Sequence, residues 1–110
     1  MFEGDPISLE ASEDTGMLRN VSIRNSTRGG IRLSVHQSHV DVQNVDIRDT
    51  SRFHRAGIQV KLPNGGSVNM TDIYIHNMTT KYGGNCFYFQ DTYNGTYYIH
   101  NATCDTITFL

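Results

Sequence analysis

At 110 residues the chain is long enough for one domain, and nine Lys and Arg against eleven Asp and Glu leave a formal net charge of −2, which removes the basic excess that nucleic-acid binding rests on. No stretch approaches the roughly 18 consecutive apolar residues of a membrane-spanning helix. Met1-Phe2-Glu3-Gly4-Asp5 has neither the basic start nor the apolar core of a secretory signal.

Residues 1–16 are acidic and are expected to form a leading segment or a partial first coil. From residue 17 to 110 one phrase recurs. Asn20-Val21-Ser22-Ile23-Arg24-Asn25 returns as Asn44-Val45-Asp46-Ile47-Arg48-Asp49, then as Asp72-Ile73-Tyr74-Ile75-His76-Asn77, and in worn form as Tyr97-Tyr98-Ile99-His100-Asn101. Ile23, Ile47, Ile75 and Ile99 are separated by 24, 28 and 24 residues, the length of one supersecondary unit. Each phrase alternates apolar and polar residues, the signature of a strand buried on one side. A polar turn follows, and Gly29-Gly30, Gly65-Gly66 and Gly83-Gly84 all fall between strands, where turns require conformational freedom. A second strand comes next: Ile31-Arg32-Leu33, Ile58-Gln59-Val60, Phe87-Tyr88-Phe89 and Ile107-Thr108-Phe109. The pairs Val40/Val42 and Val68/Met70 precede two of the phrases and predict a third short strand.

No helical periodicity competes with these strands. A unit this short cannot bury its own apolar face, so the copies must stack, about 4.8 Å apart. The expected fold is all-β, a single-stranded parallel β-helix (solenoid) of about four coils, forming part of a longer solenoid. Equivalent residues should then form columns. The inward columns are Val21, Val45, Ile73 and Tyr97; Ile23, Ile47, Ile75 and Ile99; and Leu33, Val60, Phe89 and Phe109. The outward column is Arg24, Arg48, His76 and His100. Asn25, Asp49, Asn77 and Asn101 should form a hydrogen-bonded turn ladder, because Asn tolerates left-handed φ and its amide can bond its copy.

The motif Val/Ile-x-Ile-x-Asn, turn, Gly-x-Ile-x-Val, four times in register, resembles the right-handed parallel β-helix repeat of the pectin-lyase-like superfamily, and the resemblance covers roughly residues 17–110. It implies right-handed winding. It is loose about chemistry: the superfamily includes pectate lyases, polygalacturonases and non-enzymatic surface proteins. The polygalacturonase signatures Asn-Thr-Asp, Asp-Asp, Gly-His-Gly and Arg-Ile-Lys are missing here, as are pectate-lyase motifs around Trp-x-Asp-His, and the chain has no Trp. An enzyme is therefore the less favoured expectation. The carboxylates worth weighing for catalysis are Asp46 with Asp72, or Asp41 beside His39.

Other residues bear on role and compartment. Asn20, Asn25, Asn69, Asn77, Asn94 and Asn101 begin Asn-x-Ser/Thr sequons. Asn94, in a turn, is the foremost glycosylation candidate, with Asn69 and Asn20 behind it. Cys86 and Cys104 fall on neighbouring copies, so a disulfide is feasible; two free buried thiols are the alternative. Cys-x-x-Cys is absent, no histidine pair has metal-ligand spacing, and no cofactor or metal is expected. His36 and His39 flank a turn, His54 lies in a basic loop, and His76 with His100 should stack. Aromatic residues crowd the last third at Tyr82, Phe87, Tyr88, Phe89, Tyr93, Tyr97 and Tyr98. Tyr74, Tyr88 and Tyr98 should point outward, with Tyr74 below Tyr98, as ligand-binding rings of the kind that sugars and protein partners favour.

The expected function is a structural or interaction segment of a larger extracellular or cell-surface glycoprotein, its signal upstream, offering a rigid sheet face for adhesion or for carbohydrate or protein binding at the cell surface. Its partners would be such a glycan or protein together with neighbouring β-helix coils or domains. The alternative is a fragment of a polysaccharide-active lyase or glycoside hydrolase whose catalytic coils lie elsewhere.

Overall fold

The computed structural model describes residues 7–12, 15–26, 30–52, 56–80, 85–90 and 94–109. Gly29, Gly83, Gly84, His54, Tyr82 and Tyr93 lie outside them. Eight strands are described: β1 (Ile7–Ser12), β2 (Thr15–Arg24), β3 (Ile31–His36), β4 (His39–Arg52), β5 (Ala56–Lys61), β6 (Ser67–Thr80), β7 (Asn85–Gln90) and β8 (Thr96–Phe109). They form two four-stranded parallel sheets, ordered β1-β3-β5-β7 and β2-β4-β6-β8. The chain alternates between the sheets, and each strand pairs with the strand two positions on. No helix occurs among the described residues.

The sequence pattern explains the long strands. In β4, Val40, Val42, Val45, Ile47 and Thr50 are buried, so the inward step is two residues except at Asn44 and Asp49, where it is three. Both of those residues have φ near +55°. A single left-handed residue between extended ones turns the strand while keeping the same face inward, and Asn and Asp take that conformation more readily than other non-glycine residues. β4 and β6 are thus each two five-residue modules, apolar-x-apolar-x-Asn/Asp, in tandem. The apolar pairs Val40/Val42 and Val68/Met70 are accordingly not separate strands; they continue into the phrase that follows within β4 and β6.

Register departs from expectation in the last copy. Val21, Val45 and Ile73 are stacked as anticipated, but their fourth member is Ala102 in place of Tyr97. Ile23, Ile47 and Ile75 are joined by Cys104, while Ile99 pairs with Met70. The phrase Tyr97–Asn101 therefore occupies the first module of β8. The two modules share one apolar pattern, so composition alone does not say which of them a worn copy fills.

One core cluster draws on both sheets. Ile31, Leu33 and Val35 of β3 and Ile58 and Val60 of β5 meet Val40, Val42, Val45 and Ile47 of β4 and Val68, Met70, Ile73 and Ile75 of β6, all essentially without solvent contact. Glycine makes room for this at specific points. A Cβ on Gly30 would lie 2.7 Å from Ile47 Cδ1, and one on Gly57 would lie 3.4 Å from Ile75 Cδ1. Gly30 and Gly57 precede the paired residues Ile31 and Ile58, and Cys86 precedes Phe87, the next in that column. Where earlier layers set an isoleucine tip against a glycine, the last sets Cys104 against Cys86, and the two are bonded, with Cα atoms 6.1 Å apart.

Candidate functional site

The outward face of β2-β4-β6-β8 carries most of the chemistry. Register places Thr15, His39, Ser67 and Thr96 in one column and Met17, Asp41, Asn69 and Tyr98 in the next. Arg19, Gln43, Thr71 and His100 follow. Beyond the first corner come Ser22, Asp46, Tyr74 and Thr103, then Arg24, Arg48, His76 and Asp105.

His39 is bonded through both ring nitrogens. Its Nδ1 is 2.7 Å from Ser67 Oγ on the neighbouring strand, and its Nε2 is 2.8 Å from Asp41 Oδ1 two residues along its own strand. The group is partly open to solvent, with the His39 side chain 41% and the Asp41 side chain 33% exposed. Beside it Asn69 Oδ1 is buried without a hydrogen-bond partner among the described residues. Past the corner, Arg48 donates to Asp46 through Nε at 3.2 Å and also through Nη2. The hydrogen bond and charge of Asp46 raise the Arg48 pKa further above its ordinary value, with a smaller contribution from Asp49. Asp46 is therefore held as an ion-pair partner. Asp72 accepts from Asn101 Nδ2 at 2.6 Å, so it belongs to a corner and not to a carboxylate pair with Asp46.

The corner residues form two ladders where one was expected. Asn44 donates to Asn20 at 2.7 Å and Asn101 donates to Asp72 along the first corner. Asn77 donates to Asp49 at 2.7 Å along the second. Asn101 thus leaves the column anticipated for it, and Thr106, with φ 54°, takes its place after Asn25, Asp49 and Asn77. The ladder residues are exposed.

The tyrosines do not make one platform. Tyr98 is 57% exposed and stacks on His100, ring centroids 6.4 Å apart. Tyr74 stacks on His76 at 5.4 Å, beyond the corner. Its partner on β8 is Thr103, so it does not lie below Tyr98, and Tyr88 is on β7 of the other sheet. His76 likewise does not stack on His100; it hydrogen-bonds Asp105. Each of these shifts follows from the register of β8. Of the glycosylation candidates, Asn94 is exposed in the turn before β8, Asn69 is half-buried within β6, and Asn20 is exposed with its amide oxygen engaged by Asn44. Nothing in the sequence marks Ser67 except its 28-residue distance from His39, the same step that separates Val40 from Val68. Among the described residues no three His, Cys, Asp or Glu side chains gather as metal ligands, and no helix is long and apolar enough to cross a membrane.

No protein-family model, no curated protein and no solved structure matches the chain.

Proposed function

We propose that the chain is a stretch of right-handed parallel β-helix within a larger extracellular or cell-surface glycoprotein, and that its outward face on β2-β4-β6-β8 binds a carbohydrate or protein partner. The pairing of every strand with the strand two positions on supports continuous winding from one sheet to the other. The observation that carries the binding reading is Tyr98: a large ring, more than half exposed, braced by His100 and flanked in its column by Asn69 and Asp41. Such a ring offers an apolar face and a polar rim on a backbone that cannot adjust, and a fixed geometry lowers the entropic cost of association. Sequons on exposed turns, Asn94 foremost, agree with a secreted setting.

The test is binding of the purified chain to an oligosaccharide array and to surface-protein ectodomains, in parallel with Tyr98→Ala. A retained ligand should lose about tenfold or more in affinity with the variant, the scale of one aromatic anchor. Binding unchanged in Tyr98→Ala, or no ligand in either format, would remove this reading.

A further inference from the structure

We propose that Ser67 is an activated nucleophile, with His39 as its general base and Asp41 positioning the base, and that it reacts with esters of small acyl groups. It shares the outward face with the binding function above, and Asp41 belongs to both, but it rests on separate contacts. Among the described residues, Ser67, His39 and Asp41 reproduce the connectivity that activates a serine: a hydroxyl on one ring nitrogen and a carboxylate on the other.

The tautomer follows from donor and acceptor arithmetic. An ionised carboxylate can only accept, so His39 Nε2 carries the proton toward Asp41. In the neutral ring Nδ1 is then bare and must accept, so the Ser67 hydroxyl donates to it at 2.7 Å. The other acceptor near that hydroxyl, the Ser38 carbonyl, is 3.4 Å away and is already engaged at 2.9 Å by the Ser67 amide. The three side chains are held by the sheet itself: His39 and Ser67 are register partners, and His39 and Asp41 are successive outward residues of one strand.

The reaction balances without a cofactor. Ser67 Oγ attacks the acyl carbon as its proton passes to His39 Nδ1. The bond from acyl carbon to ester oxygen breaks, and the departing alcohol takes that proton. Water then repeats the sequence, returning Ser67 and releasing the acid. The setting defines the substrate. Ser67 stands on an open sheet face, so the acyl group must be small enough to be held without a cavity. Since the Ser67 amide is committed to Ser38, it adds nothing at the oxyanion, so the rate is modest and activated esters react best.

Incubation of the whole chain with a fluorophosphonate probe, followed by intact mass and proteolytic mapping, tests this directly; p-nitrophenyl acetate gives a second readout. The expected result is one adduct per chain, on Ser67, with the labelling rate lowered about a hundredfold or more in His39→Ala, the scale of a lost general base. Asp41→Asn should slow labelling while Asp41→Glu restores it, with far-UV circular dichroism unchanged in each. An unlabelled wild-type chain, an adduct on another residue, or labelling that persists at full rate in His39→Ala overturns the proposal, and the first two outcomes do not depend on any variant folding.

Discussion

Thr106 is a β-branched residue at φ 54°, in a column otherwise filled by Asn25, Asp49 and Asn77. Branching at Cβ makes that conformation costly for Thr, whereas Asn reaches it at little cost and can bond its neighbour. Thr106→Asn is therefore expected to stabilise the fold by about 1 kcal/mol, seen as a higher urea midpoint. The converse holds at Asn77, whose amide donates to Asp49 at 2.7 Å. Asn77→Ala should cost about 1–2 kcal/mol, combining a lost hydrogen bond with left-handed strain, and Asn77→Gly should cost less because only the bond is lost. Equal losses in the two variants would assign the whole effect to the hydrogen bond.

At the scale of strands, the Cys86–Cys104 bond joins β7 to β8, one strand from each sheet, across 18 residues of chain. Closing a loop of that length restricts the unfolded ensemble by about 3 kcal/mol, so reduction should lower the melting temperature by several degrees. An unchanged melt in reductant would mean that packing alone holds β8. The strands also show what could be read in advance. Alternation and recurrence were enough to place Val45, Ile47, Ile73 and Ile75 inward and to exclude helix. Register in β8 was hidden because the modules before and after Asp72 are chemically alike, and the misplacement of Tyr98, His100 and Asn101 followed from that one slip. The cysteine pairing was left open because it depends on the Gly57–Ile75 packing one layer below, a contact between residues 18 apart that no periodicity marks. Ser67 was hidden for a similar reason: what distinguishes it is its contact with His39, on the neighbouring strand.

For the molecule as a whole, the repeated strand pairing means that the chain can be shortened only in whole steps of the register. Asn44 and Asp72 hold equivalent corner positions between the paired residues Gln43/Thr71 and Val45/Ile73. Excising Val45 through Asp72 joins one corner to the next module and removes one full step. The shortened chain is expected to melt cooperatively at a lower temperature, since stability grows with the number of stacked units. Excising Val45 through Thr71, one residue fewer, turns the following apolar set outward and should abolish the cooperative transition in circular dichroism. The pairing of each strand with the one two positions on has a further consequence, for synthesis. The smallest sequence distance bridged within either sheet is 24 residues, so the first strand of each sheet has no sheet partner until at least that much more chain has left the ribosome. Until β3 is out, β1 is a lone ribbon with unsatisfied edges, and the newest strand always presents such an edge to chaperones and to other nascent chains.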